Sequence, residues 1–208
     1  MSAVVVPTPI GPRPRLYTVH DLLAMPDDGK DRWLIRGQLR EQEMTIRGQL
    51  REQEMTKRNR FHAALTGRLC QLIGVWIDTQ PQPRGEVYGG EAGVYLARNP
   101  DTCVGIDVVY VGPEVVAAQT DETTLLEGVP TLVVEILSPY DVKKDVTEKV
   151  NDYLAAGVPL VWVIDPDYQS VTVHRPGQPV ELFNTTQPLS ADPHLPGFTV
   201  PVVSLFQR

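Results

Sequence analysis

The sequence predicts an α/β (α+β) fold, a central sheet of largely buried strands covered by helices. Three observations carry that expectation. Thr131–Pro166 reads as strand, turn, helix, turn, strand. Its two strand segments, Thr131–Leu137 and Val158–Asp165, are nearly continuous apolar runs, the pattern of strands covered on both faces. Lys57–Asp78 carries a single apolar stripe of Phe61, Leu65, Leu69, Leu72, Ile73, Trp76 and Ile77, as an amphipathic helix does.

Size and composition agree with one domain. The chain has 208 residues, 42% hydrophobic and 22% charged, which are ordinary globular values. A chain this long buries roughly 70% of its unfolded surface and needs no staples. Cys70 and Cys103 form no metal-ligand spacing and read as small core residues in a reducing compartment. The net charge of −7 argues against broad electrostatic attraction to nucleic acid, though it leaves room for a local basic groove. No charged n-region precedes an apolar h-region, and no apolar run reaches membrane-span length. The expectation is a soluble cytoplasmic protein.

Residues 1–17 read as an extended arm containing Pro7, Pro9, Pro12 and Pro14, and 18–208 as the single domain. Thr18 is placed to cap a short helix through Leu22, Leu23 and Met25, which Pro26 stops. An exact tandem repeat follows. IRGQLREQEMT fills Ile35–Thr45 and again Ile46–Thr56. Each copy pairs an Arg-Gly turn signal with alternating residues, so we read a β-hairpin arm with one unit doubled by a recent or engineered duplication. Two copies do not make a solenoid. A helical insert is the alternative, since Gln, Leu, Arg, Glu and Met favour helix.

The helix over Lys57–Asp78 carries Lys57, Arg58 and Arg60 at its N-terminal end, against the dipole preference. His62 in the same turn reads first as a surface or core-edge histidine. Pro81–Gly85 is a turn, and Glu86–Leu96 a strand bent at Gly89 and Gly90, with Glu91 just after the bend. Val104–Val111 is a strand, and Pro113–Glu127 a helix or loop. Past Pro166, Ser170–Arg175 and Val180–Phe183 form an edge hairpin. The loop-rich end from Leu189 packs Phe198, Val200 and Leu205 onto the core.

Two apolar strands each hold one acid, Asp107 in VGIDVVYV and Glu135 in TLVVEIL. Burying an unpaired charge is strongly unfavourable. Glu135 therefore either faces solvent at an edge or has a partner, such as a metal ion. On neighbouring strands the two carboxylates can share a divalent cation, and oxygen donors suit Mg²⁺ or Mn²⁺. On the following helix Asp145, Lys149 and Tyr153 are spaced four apart and share a face. This places a lysine near the acids.

VGIDVVYV, GVPTLVVEILSP, the Asp145, Lys149, Tyr153 spacing and AGVPLVWVIDP together resemble a large bacterial family of restriction-endonuclease-like proteins in the PD-(D/E)xK nuclease superfamily. GEVYGGEAGVYL fits as well, and the likeness runs from about His20 to the C-terminus. It implies a restriction-endonuclease-like core, a mixed sheet flanked by helices, with metal-binding acids on two adjacent strands. It also implies a Mg²⁺-dependent or Mn²⁺-dependent endonuclease acting on nucleic acid, with DNA as the expected substrate. Carried over by position, Asp107 and Glu135 are the ligating acids, the Ile136 carbonyl is a further metal ligand, and Lys149 is the catalytic lysine. Glu91 is the candidate upstream acid. The chain departs from the superfamily pattern at Ile106, where proline is usual, and at Leu137, where a lysine is usual. Gln38 and Gln49 stand where the family often has hairpin acids. Lys143 and Lys144 read as solvated. The alternative is a nuclease-fold module that no longer cleaves and binds nucleic acid or protein instead. A homodimer through the hairpin arm is a further expectation.

Overall fold

The computed structural model describes residues 15–26, 28, 30–43, 60–122, 124–138, 141 and 143–207. The second copy of the repeat, the Pro-rich stretch before Arg15, and Lys57 and Arg58, which were expected to open the long helix, lie outside them.

The described chain begins with α1 (Val19–Leu23), closed by a reciprocal capping box in which Thr18 Oγ1 accepts from the Asp21 amide and the Asp21 carboxylate accepts from the Thr18 amide. The first repeat copy then supplies the turn and second strand of a hairpin, whose first strand comes almost wholly from the residues before it. In this hairpin β1 (Lys30–Ile35) pairs antiparallel with β2 (Gln38–Glu43). The connecting Arg36 and Gly37 both have positive φ, as tight two-residue hairpins require. Helix α2 spans Arg60–Thr79. It is followed by β3 (Glu86–Ala97), β4 (Thr102–Val111), α3 (Pro113–Ala117) and β5 (Leu126–Glu127). The stretch read as helix or loop, Pro113–Glu127, thus contains a short helix and a two-residue strand that pairs in parallel with β3.

The centre is β6 (Leu132–Ile136), α4 (Lys143–Ala155) and β7 (Val161–Asp165), with β6 and β7 parallel and α4 crossing between them. Next come β8 (Ser170–His174) and β9 (Glu181–Phe183), the edge hairpin foreseen from the alternation. The tail is more regular than its loops suggest. β10 (Pro188–Ser190) pairs with β11 (Thr199–Pro201), and α5 (Val202–Phe206) closes the chain. The main sheet is mixed and runs β2-β1-β4-β6-β7-β8-β9, with β3 branching from β4 and β5 pairing with β3.

Alternation along β6 shows the layering. Leu132, Val134 and Ile136 face one core, shared with Leu65, Leu69 and Ile73 of α2, Trp162 of β7 and the C-terminal Phe198, Val200 and Leu205. Val133 faces the other, shared with Val150 and Tyr153 of α4. A five-residue strand sandwiched this way is buried at every position, which explains its apolar sequence. Each large aliphatic side chain so buried stabilises the fold by about 1.5–3 kcal/mol.

Helix α4 ends in a Schellman motif. The Val158 amide donates to the Tyr153 carbonyl at 3.0 Å, the Gly157 amide donates to the Leu154 carbonyl at 3.1 Å, and Gly157 has φ 97°. This stop fixes the last turn of α4, which carries Tyr153. No helix among the described residues is long and apolar enough to cross a membrane.

Candidate active site

The site forms where β4 and β6 part. Their ladder is antiparallel and reaches the Val108–Val134 pair. Continued by one step, that register sets Asp107 opposite Glu135. The Ile136 amide, just past the ladder, donates instead to the Asp107 side chain at Oδ2, 2.8 Å away. Beside β4, the β3 strand bulges, so Gly90 and Glu91 together oppose Asp107. Face alternation along β4 also slips there. Ile106 packs in the α4-side core, while Val108 packs in the α2-side core. Asp107 therefore lies at the junction of both layers.

Both acids are buried, Asp107 at 6% exposure and Glu135 at 8%. Glu135 does not take the edge position that was one reading of it. The Lys149 ammonium lies 3.4 Å from Glu135 Oε2, and the Tyr153 hydroxyl donates to Oε1. Burial pushes the Glu135 carboxyl above the usual carboxylate range. Lys149 opposes that rise, Asp107 adds to it, and the Tyr153 hydrogen bond opposes it. Burial and the neighbouring carboxylate hold the Tyr153 phenol well above its ordinary value, so it stays a donor.

Asp145, Lys149 and Tyr153 share a helix face, but they descend from solvent into the core. Asp145 is exposed, Lys149 is half-buried and Tyr153 is fully buried. The slope of α4 across the sheet thus puts lysine and tyrosine, and not the aspartate, against Glu135. Trp33 of β1 covers the lysine from the hairpin side, with Nζ 5.8 Å from the ring centroid. Lys144 is exposed and pairs with Glu148 at 3.7 Å, and Lys143 is also exposed.

The other named residues fall as follows. Glu91 is exposed in the bulge next to Asp107, with φ 63°. Gln38 lines a cleft of about 270 Å³ between the hairpin and α4, together with Arg36, Arg40, Asn151 and Asp152. Asp107, Glu135 and Lys149 do not line that cleft. Gln49 lies outside the described residues. His62, which its position in the helix did not single out, is 8% exposed with Nε2 3.1 Å from Asp107 Oδ1. It stands three and seven residues before Leu65 and Leu69, on the same buried side of the helix, and that spacing is the sequence signal for its burial.

The donor set suits a hard cation. Two buried carboxylates on neighbouring strands offer oxygen atoms of the kind such cations bind, and burial first, then Asp107, raises the Glu135 carboxyl. Among the described residues, no group of three or more His, Cys, Asp and Glu side chains is arranged to hold a metal ion. Backbone carbonyl and water oxygens would have to complete the shell.

Residues 22–203 match the model of a protein family, Uma2, described as "Putative restriction endonuclease". Among solved structures, the crystal structure of "a putative nuclease belonging to DUF820" from Anabaena variabilis shares the fold at a TM-score of 0.71 and 20% identity, covering 91% of this chain and 97% of that one. No curated protein matches the chain.

Proposed function

The chain belongs to the Uma2 family, whose description is "Putative restriction endonuclease", and on that premise we propose that it is a Mg²⁺-dependent or Mn²⁺-dependent endonuclease that hydrolyses DNA phosphodiester bonds. The observation that carries the reading is the convergence of Asp107, Glu135 and Lys149, from three separate segments, where β4 and β6 part.

Asp107, Glu135 and the Ile136 carbonyl would hold the cation, with Glu91 as a further candidate from the bulge. When bound, such a cation supplies Lewis-acid polarisation of the phosphodiester and acidifies a nearby water. The chain's own groups do the rest. Lys149 presents a positive charge beside Glu135, where charge builds on the phosphoryl oxygens as the attacking water bonds to phosphorus and the ester P–O bond breaks. Tyr153 holds one Glu135 oxygen and so aims the other at the lysine side. Trp33 limits the directions open to the ammonium.

The deciding experiment is cleavage of plasmid and short duplex DNA in Mg²⁺ or Mn²⁺. Asp107→Ala and Glu135→Ala are each expected to abolish cleavage while leaving a folded protein by circular dichroism. Undiminished cleavage in both variants overturns the assignment. One observation favours the second reading, a nuclease-fold module that binds without cutting: both Asp107 oxygens already have protein partners. Under that reading calorimetry finds no heat on adding Mn²⁺, and the metal does not shift Tm.

A further inference from the structure

We infer that His62 is a positioning residue that fixes the orientation of the Asp107 carboxylate from the α2 side, so that α2 belongs to the site; as a statement about catalysis this rests on the nuclease reading above.

The geometry is a two-sided clamp. The Ile136 amide from β6 holds Asp107 Oδ2 at 2.8 Å, and His62 Nε2 from α2 stands 3.1 Å from Oδ1. A carboxylate offers only lone pairs, so the His62 contact requires a proton on Nε2. With one donor on each oxygen, rotation of the carboxylate about its Cβ–Cγ bond is stopped at both ends. The directions in which its other lone pairs point are thereby fixed. Donors of this kind set ligand orientation in metal and catalytic sites generally.

The sequence is built to bring α2 this close. His62, Thr66 and Cys70 follow one another at i, i+4 and i+8, and the Thr66 hydroxyl donates to the His62 carbonyl at 3.0 Å. That face of the helix lies on Gly89 of β3. A β-carbon there would stand 2.6 Å from Cys70 Sγ and 3.1 Å from Thr66 Cγ2. The missing side chain at Gly89 lets α2 sit down on the sheet, and two turns earlier the same seating delivers His62 to Asp107.

A core histidine with no bearing on the site is the plainer reading, and three variants separate the two. His62→Leu fills the space without a donor. His62→Gln keeps a donor at the Nε2 position without a titratable group. His62→Asn, too short for the contact, replaces the leucine variant if that one does not fold. The readout is amide hydrogen exchange by NMR in metal-free protein. Release of Asp107 frees the Ile136 amide, so that amide is expected to exchange at least about tenfold faster in His62→Leu while the Val134 amide does not change. His62→Gln is expected to return it to within a few-fold of the parent. In Mn²⁺ titrations and DNA cleavage, His62→Leu is expected to lose about 10–100-fold in metal affinity and kcat, with KM for DNA unchanged. Parent-like Ile136 exchange in His62→Leu, or a glutamine variant as impaired as the leucine one, overturns the inference. If the parent protein neither binds Mn²⁺ nor cuts DNA, the nuclease reading fails, and the Ile136 contrast still decides whether His62 holds Asp107.

Discussion

The Tyr153 hydroxyl donates to Glu135 Oε1 in a fully buried contact, joining the last turn of α4 to the central strand β6. The phenol is the deepest polar group on α4, and it meets the one acid in a strand that is otherwise apolar. Removing it leaves the Lys149 ammonium, 3.4 Å from Oε2, to hold the carboxylate from the other side.

Tyr153→Phe therefore tests the contact with little change of shape. Hydrogen bonds to charged groups contribute about 1.5–3 kcal/mol, and the variant is expected to lose stability in that range by urea denaturation. Cleavage, where present, should fall with it. Unchanged stability would show that the contact contributes nothing net.

The raised carboxyl of Glu135 makes a signed prediction about pH. A folded-state pKa above the unfolded value favours the folded protein while the group is protonated. That contribution is complete below the unfolded pKa, near 4.5, and is lost as pH rises through the raised folded value. Each unit of rise corresponds to about 1.4 kcal/mol. Glu135→Gln mimics the protonated form and is expected to be more stable than the parent at pH 7.5 without metal, with the gap closing towards pH 4. A Tm difference independent of pH would refute this. Mn²⁺ is expected to reverse the order, by raising the Tm of the parent alone.

Gly89→Ala places a β-carbon 2.6 Å from Cys70 Sγ. Overpacking of this kind costs about 1–3 kcal/mol. Adding Cys70→Ala removes the nearest atom, so the double variant is expected to recover part of the loss. A double-mutant cycle reads that coupling. Purely additive effects would mean that α2 does not rest on this glycine.

The Arg36–Asp152 pair links the hairpin turn to α4 at 3.6 Å, but the Arg36 side chain is 68% exposed. Exposed pairs contribute about 0–1 kcal/mol. Arg36→Ala is expected to change Tm by no more than a degree or two. A larger loss would mean that the cleft between hairpin and helix bears on stability.

Burial pushes the Cys103 thiol up to about 11 and raises Cys70 as well. Neither is a thiolate near neutral pH, and the thiolate is the reactive form. Alkylation of the native protein at pH 8 is expected to be slow at both and fast on denaturation. Rapid labelling of Cys70 in the native state would show α2 lifting from β3.

Much of this was legible along the chain. Continuous apolar runs over Thr131–Leu137 and Val158–Asp165 report burial on both faces, and the stripe through Leu65, Leu69 and Ile73 reports a helix with one buried side. Asp107 and Glu135 stood out because a carboxylate in such a run is costly and so calls for a partner. Glu91 was marked by the glycine pair before it, and those glycines do lie at a bulge. The two-residue strand β5 and the β10–β11 pair were not legible, because segments of two or three residues carry no periodicity and exist only where a neighbouring strand receives them.

The pairing of particular atoms lay beyond the sequence altogether. Side-chain spacing put Asp145, Lys149 and Tyr153 on one face, yet only the slope of α4 over the sheet decided that lysine and tyrosine reach Glu135 while the aspartate stays in solvent. His62 and Asp107 are far apart in the chain, and nothing in either neighbourhood refers to the other. Their contact follows from how closely α2 can rest on Gly89. Local patterning records whether a residue is buried and with what period, because those depend on neighbours along the chain. Which donor meets which carboxylate oxygen depends on how separate elements pack, and that is fixed only when the layers close.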